Sequence, residues 1–294
     1  MQSTISYLIP CYNHEKYLPE LLNNLTLDIE KLDVPAEVII IDDGSEDNSA
    51  LIIKEWENNN TTLNITFISG KNKGLPAVLN QMIKLAKGEY LRLGASDDVI
   101  LPGSTQLLFN EFINKPSLRC AVGDGTVINE TGECINKSSI DFHGGNLSRL
   151  QNPRLLVKEL VQNWCVAGPA HLIKKNHYNT MSYDESLKID DYDLFLSLLK
   201  EEESIVFTNK IVCLYRVHTT NTSKTKNLTS RVANLISFIC IIDKYIKQQI
   251  LVNYLLPIKY KSMAKIYYLQ KRYLLCAVNM SKCLFYKFKS ELLN

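Results

Sequence analysis

An α/β fold, a mostly parallel sheet with flanking helices and a helical C-terminal extension, is predicted from three observations on this 294-residue chain. Short β-branched apolar runs alternate with longer helix-like segments over the first hundred residues. The turns after those runs are rich in Asn, Asp and Gly, and from residue 224 onward the pattern is helical throughout. With 46% apolar and 22% charged residues and only 12 Gly and 9 Pro, the chain can bury a core, which excludes disordered and fibrous classes.

The first two strands are expected at Ile5 to Ile9 and Val38 to Ile41, with weaker ones at Ile65 to Ile68 and Tyr90 to Leu93. Helices are expected between them at Glu15 to Ile29, Glu46 to Asn58 and Pro76 to Ala86. Such order implies right-handed crossovers and a ligand site at the carboxyl ends of the strands. Two further weak strands are expected at Arg119 to Val122 and Thr126 to Asn129, and Ser138 to Arg149 reads as a mobile loop of the kind that covers substrates. Uncharged Asn163 to Ile173, with Gly168-Pro169, reads as a buried turn and strand beneath the site. Asp190-Asp191-Tyr192-Asp193 then opens a helix with Leu194, Leu198 and Leu199 on one face. The last third reads as two helical stretches, Arg231 to Gln249 and Lys261 to Phe288, interrupted near Pro257.

The near-neutral total charge of +2 conceals a split: residues 241–294 carry ten Lys/Arg and two acids, while the rest of the chain is net acidic. Either that basic, Tyr-rich tail packs on the domain, or it rests on an anionic membrane surface. No recognition motif for nucleic acid accompanies it. No apolar run reaches the length of a spanning helix, and polar Gln2, Ser3 and Thr4 lead directly into a strand, so the chain reads as mature from Met1. Eight dispersed Cys with no C-x-x-C pair favour a reducing cytoplasm over a disulfide framework or a zinc site.

Three expected strands end in polar turns: Pro10-Cys11-Tyr12-Asn13, Asp42-Asp43-Gly44-Ser45 and Ala95-Ser96-Asp97-Asp98. Each alone is explained by turn chemistry, but carboxylates converging on one rim repel unless a cation or several donors neutralise them. Adjacent Asp97 and Asp98 offer hard oxygen ligands for Mg²⁺ or Mn²⁺ shared with a diphosphate, Tyr12 could stack on a base and Asp43 could accept from a pyrimidine N–H. Without a Walker loop or a G-x-G-x-x-G after the first strand, ATP hydrolysis and dinucleotide binding lose support. Asp190 and Asp191 are explained equally by helix capping.

In order and spacing, these segments resemble the family 2 glycosyltransferases with the GT-A fold. The resemblance runs through SYLIPCYN ending at Asn13, EVIIIDDGS ending at Ser45, Asn72-Lys73-Gly74, Ser96-Asp97-Asp98, Asp190-Asp191-Tyr192-Asp193, and Tyr215 to His218 with Asn221 and Ser223. It covers residues 4 to about 223, a domain of residues 1–223 followed by a basic helical extension over 224–294. It implies that Pro10, Tyr12, Asn13 and Asp43 hold the nucleotide, usually a uridine, with Asn72 closing beside it and Asp97 meeting ribose or metal. It further implies metal binding by Asp98, Asp97 and His218, a phosphate contact by Arg216, and Asp191, supported by Asp190, as general base. The expected reaction is an inverting transfer from a nucleotide-sugar to a glycan or lipid-linked acceptor in bacterial O-antigen or capsule synthesis, at the cytoplasmic face of the inner membrane. Ala95 departs from the family's D-x-D-D pattern, removing a ribose contact or passing it to Asp97. Two competing readings are a sugar-1-phosphate nucleotidyltransferase and an inactive transferase scaffold that binds membrane.

Overall fold

The β-branched runs of the first hundred residues become four parallel strands, β1 (Ile5–Cys11), β2 (Ala36–Asp42), β3 (Asn64–Ser69) and β4 (Tyr90–Leu93). The computed structural model describes residues 4–187, 191–218 and 227–292. β1 and β2 are covered on both faces, which is why they read as unbroken apolar runs, while β3 alternates exposed and half-buried residues at the sheet edge. Between them lie α1 (Leu18–Ile29), α2 (Ser49–Asn59) and α3 (Leu75–Leu85). Leu18, Leu21, Leu22 and Leu25 form the buried stripe of α1, and Val78, Leu79, Met82 and Ile83 that of α3.

The chain continues through β5 (Val99–Ile100), α4 (Ser104–Asn110), β6 (Cys120–Ile128), β7 (Cys134–Asn136), α5 (Ser139–Phe142), α6 (Leu147–Leu150), α7 (Pro153–Asn163), β8 (His171–Lys174), α8 (Asp191–Leu198) and β9 (Ile205–Arg216). The sheet runs β3-β2-β1-β4-β8-β6-β9-β5, with β7 on β6. β8 is antiparallel to β4 and β6, β5 is antiparallel to β9, and β6 and β9 are parallel, so the parallel first half passes into a mixed second half.

Two expectations change here. The strands expected at 119–122 and 126–129 are one strand, β6, whose register on β9 shifts around Asp124. Gly123 and Gly125 allow this: a Cβ on either would lie 2.6 Å from Val212 or 2.8 Å from the Cys213 sulfur. The segment expected as a mobile loop, Ser138 to Arg149, instead contains α5 and α6 and is anchored by two buried carboxylates. Asp124 Oδ1 accepts from the Gly125 N–H (2.7 Å), the Ser139 hydroxyl (3.0 Å) and the Ile140 N–H (3.1 Å). Glu159 accepts from the Asn146 N–H (2.9 Å), the Asn163 amide (2.6 Å) and Arg149.

A buried cation ties the two halves of the sheet together. Arg92, on β4, is fully buried and donates to the carbonyls of His171 (2.8 Å), Val212 (3.2 Å) and Pro169, and to the Thr105 hydroxyl (3.1 Å). Buried Asp28 accepts from Thr105 and from the Tyr7 hydroxyl (2.7 Å), which completes the charge compensation beneath the site.

The C-terminal region is three helices, not two: α9 (Leu228–Tyr245), α10 (Val252–Leu269) and α11 (Tyr273–Leu292). Pro257 lies inside α10, where it removes a single backbone bond near the helix start, and the break falls earlier, at residues 246–251. A second break falls at Lys271, whose φ of 60° closes a turn in which the Arg272 N–H reaches the Tyr267 carbonyl at 2.8 Å. α9, α10 and the turn between them add Ile241, Ile242, Tyr245, Leu251 and Leu255 to the core shared with the sheet domain.

Candidate functional site

The parallel strands deliver their polar C-terminal turns to one rim, as the βαβ order requires. After β1 the backbone turns through Asn13 at φ 55°, and this turn is bonded to the one that follows β2. The Asn13 N–H donates to Ser45 Oγ (2.8 Å), Asn13 Oδ1 accepts from the Glu46 N–H (2.8 Å), and Glu15 accepts from Asn48. Asn13 therefore serves loop architecture, while half-buried Pro10 and exposed Tyr12 stand on the rim beside Asp43, whose N–H bonds the Cys11 carbonyl at 2.8 Å.

Asp43 is buried, and its two oxygens accept from the Lys73 N–H (2.7 Å) and the Gly74 N–H (2.9 Å) at the start of α3. This holds the loop that carries exposed Asn72 against the β2 turn. Gly44, at φ 78°, makes the approach possible: a Cβ there would stand 2.8 Å from the Asn72 nitrogen. A cleft lined by Ile41, Asp43, Ile68, Lys71, Lys73 and Gln81 opens at this end of the rim.

At the turn after β4, Asp97 and Asp98 diverge. Asp97 Oδ2 lies 2.9 Å from His218 Nε2. Asp98 Oδ1 accepts from the Arg216 backbone N–H at 2.7 Å. β9 pairs with β5 next to this turn, Val99 opposite Leu214, which brings Arg216 and His218 across from the two acids. The Arg216 guanidinium is buried against protein: it donates to the Asp97 carbonyl (2.8 Å) and the Asn129 carbonyl (3.2 Å), pairs with Glu20 at 2.5 Å and lies over the Tyr17 ring. Arg216, expected as a phosphate contact, braces the acidic turn through these bonds.

His14, which sequence reasoning did not single out, completes the cluster. His14, Asp97 and His218 each place a ligand atom within 4.8 Å of the others, and the imidazoles meet edge to face at 5.9 Å between centroids. His14 Nδ1 is held 2.7 Å from Ser96 Oγ. The only sequence signal for it was its place directly after Asn13 in the first rim turn. Burial lowers the His14 pKa against the pull of Asp97, which favours the neutral, ligating form. Burial opposes ionisation of Asp97, but the His218 hydrogen bond and both imidazoles outweigh it and hold this carboxyl below its ordinary range. Burial pushes Asp98 well up, and the charges of Asp97 and Asp191 add to the rise while Arg216 opposes it. One carboxylate and two imidazoles form a donor set that fits a divalent ion of the Mn²⁺ type better than Mg²⁺, which prefers oxygen ligands.

Asp191 begins α8, and its charge acts on Asp98. Its Oδ2 lies 3.9 Å from where a Cβ on Gly168 would stand, an ordinary contact distance. Asp190, expected to support it, lies outside the described residues, as do Asn221 and Ser223. α8 is fixed from behind: Asp193 accepts from the Tyr245 hydroxyl (2.7 Å) and Lys244 Nζ (2.9 Å) of α9, and Tyr192 stacks on Phe238 at 4.6 Å.

Residues 6–179 match the family described as Glycosyl transferase family 2. Chondroitin synthase of Escherichia coli is 29% identical over 222 residues, covering 74% of this chain and 30% of that protein. Chondroitin synthase of Pasteurella multocida (strain Pm70) is 28% identical over 252 residues, covering 85% of this chain and 24% of that protein. The chain therefore spans less than a third of the length of either relative. Among solved structures, Staphylococcus aureus TarS 1–349 in complex with UDP-GlcNAc superposes with a TM-score of 0.64 at 20% identity, over 90% of this chain and 73% of that one. The mannosyltransferase PcManGT from Pyrobaculum calidifontis, in complex with GDP-Man and Mn²⁺, gives 0.60 at 14% identity, over 100% of this chain and 76% of that one.

Proposed function

This chain belongs to glycosyl transferase family 2, has the GT-A fold of its structural neighbours, and we propose that it transfers a sugar, with inversion, from a UDP-sugar to a hydroxyl of a glycan or lipid-linked oligosaccharide. The observation that carries this reading is the convergence of the His14–Asp97–His218 cluster with Asp191 at the carboxyl ends of the parallel strands. Two structural neighbours are described with a sugar nucleotide, one of them with Mn²⁺, which supports a nucleoside diphosphate donor and a metal.

In this reading Asp97, His218 and His14 hold the ion. Bound there, a divalent cation supplies Lewis-acid neutralisation of the charge on a departing diphosphate. Tyr12 and the cleft beside Asp43 take the base, with the Asp43 clamp presetting the Asn72 loop. Asp191 takes the proton of the acceptor hydroxyl. Asp98, buried and shifted toward its neutral form, positions the turn through Arg216. The nucleotidyltransferase alternative has no observation in its favour, since residues 10–14 contain no Lys or Arg to meet a triphosphate. Surface-polysaccharide synthesis at the cytoplasmic face of a membrane fits the basic tail, and the chondroitin synthase relatives support a glycan product.

Calorimetric titration of UDP, GDP and CDP with and without Mn²⁺ tests the donor site. UDP is expected to bind selectively and only with the metal, and Asp97→Asn is expected to abolish this while leaving the melting temperature of the free protein nearly unchanged. Binding of none of the three nucleotides, or equal binding by the variant, would overturn the reading.

A further inference from the structure

The outer surface of α11 inverts the usual order of a surface helix. Its buried side carries Asn279, Cys283 and Ser290, and it packs along α10 with Tyr286 stacked on Tyr260 at 5.4 Å. The opposite side carries the large apolar groups: Leu274 is 80% exposed, Phe285 63% and Phe288 64%, with Val278 and Leu284 beside them. At 100° per residue these five fall within one continuous sector. Lys282 and Lys289 border that sector on one side, and Glu291 and Lys287 on the other, all exposed. At the α10–α11 turn, exposed Tyr268 and Tyr273 stand with Lys271 and Arg272.

We propose that this outward face of α11 is a lipid-contacting surface that seats the chain on an anionic bilayer. The charge pattern selects this occupant. A second copy of the same face would set one net positive border, three lysines against one glutamate, on another, whereas an anionic headgroup layer brings the opposite net sign to the apolar stripe. Tyrosines at the turn place an apolar ring and a polar hydroxyl where a bilayer changes from acyl chain to headgroup. Among the described residues no helix is long and apolar enough to cross a membrane, so this helix lies along the surface. The inference gives the membrane contact in the proposed function a specific face, and it stands or falls separately from the donor site.

Vesicle flotation tests it. The chain is expected to float with phosphatidylcholine vesicles containing phosphatidylglycerol, to stay down with phosphatidylcholine alone, and to detach in high salt. Replacing Lys282, Lys287 and Lys289 by Gln is expected to lower the partition coefficient on the order of a hundredfold, about fivefold per lysine. Leu274→Ser with Phe285→Ser and Phe288→Ser is expected to abolish flotation with an unchanged melting temperature, because these side chains contribute little to the core. Flotation indifferent to phosphatidylglycerol, or unaffected by either variant set, would sink the proposal. So would sedimentation showing a wild-type dimer that the serine variant converts to monomer, since the face would then belong to a second copy. UDP titration of the same preparations keeps the two ideas apart: the α11 variants are expected to bind UDP as wild type does, and a chain that floats but binds no nucleotide would retain the lipid face and lose the donor site.

Discussion

Asp191 is the residue on which the chemistry of the proposed reaction turns, and its surroundings define a test. It sits at the first position of α8, where its charge acts on Asp98 and its Oδ2 lies 3.9 Å from the Cβ position of Gly168. Asp191→Asn keeps the shape and the capping capacity but removes the base, so kcat is expected to fall by about 10² to 10⁴ while UDP affinity measured by calorimetry stays within a few-fold. A loss of UDP affinity equal to the loss in kcat would assign Asp191 to donor binding instead. At this scale the sequence was informative about which residues gather and less so about what each one touches. Strand order and turn composition placed Asp43, Asp97 and Asp98 on the rim, whereas Asp191 and His218 were expected there only through the family resemblance. The division of labour between Asp97 and Asp98 was not legible, because two adjacent carboxylates in a turn point in different directions and only the position of β9 decides which one meets His218. The family resemblance implied a phosphate contact for Arg216, and its bonds to Glu20 and the Asn129 carbonyl were not legible because those partners are remote in sequence.

Elements with strong periodicity were read closely, and those fixed by tertiary contacts were not. The four parallel strands and α1 to α3 fall within a few residues of expectation, because a strand buried on both faces and a helix with one apolar stripe declare themselves in composition. The segment from Ser138 to Arg149 is polar and contains two glycines, which locally means a loop. Its order comes from Asp124 and Glu159, acids that no local pattern connects to it. Asp124→Ala leaves the Ile140 amide and the Ser139 hydroxyl without their acceptor, while the Gly125 amide keeps Ser139 Oγ at 3.1 Å, at about 1–3 kcal/mol for each donor left unsatisfied. Faster hydrogen exchange over residues 138–145 is expected, with the parallel strands keeping their protection. Uniform deprotection of the whole sheet would mean that Asp124 supports the β6–β9 register rather than the segment alone. The break at Lys271 escaped for a related reason: a positive φ is usually announced by glycine or asparagine, and here lysine adopts it.

For the whole molecule, acid is the stress to which the core is most exposed. Burial, and behind it the Arg92 charge, pushes His171 down to about 3, and burial pushes His177 down to about 4. An unfolded chain takes up those protons near the ordinary histidine value, about 6.5, so the folded state loses stability as pH falls from there toward 4 and 3. His171 alone is expected to cost roughly 2 kcal/mol between about pH 7 and about pH 5, read by urea denaturation at each pH. His171→Phe is expected to flatten that dependence, and an unchanged slope in the variant would show that other groups govern it.

The hydrogen bonds from Tyr245 and Lys244 to Asp193 carry a consequence for how this chain can be altered. The helix that begins the C-terminal region is a buttress for the helix that begins with Asp191, joined to it by the Tyr192–Phe238 stack as well as by Asp193. The C-terminal region is therefore not an interchangeable cassette. Exchanging it with the tail of another transferase, or trimming it to improve crystallisation, changes the seat of Asp191 unless α9 is kept, whereas α11 can be recoded while that seat stays intact.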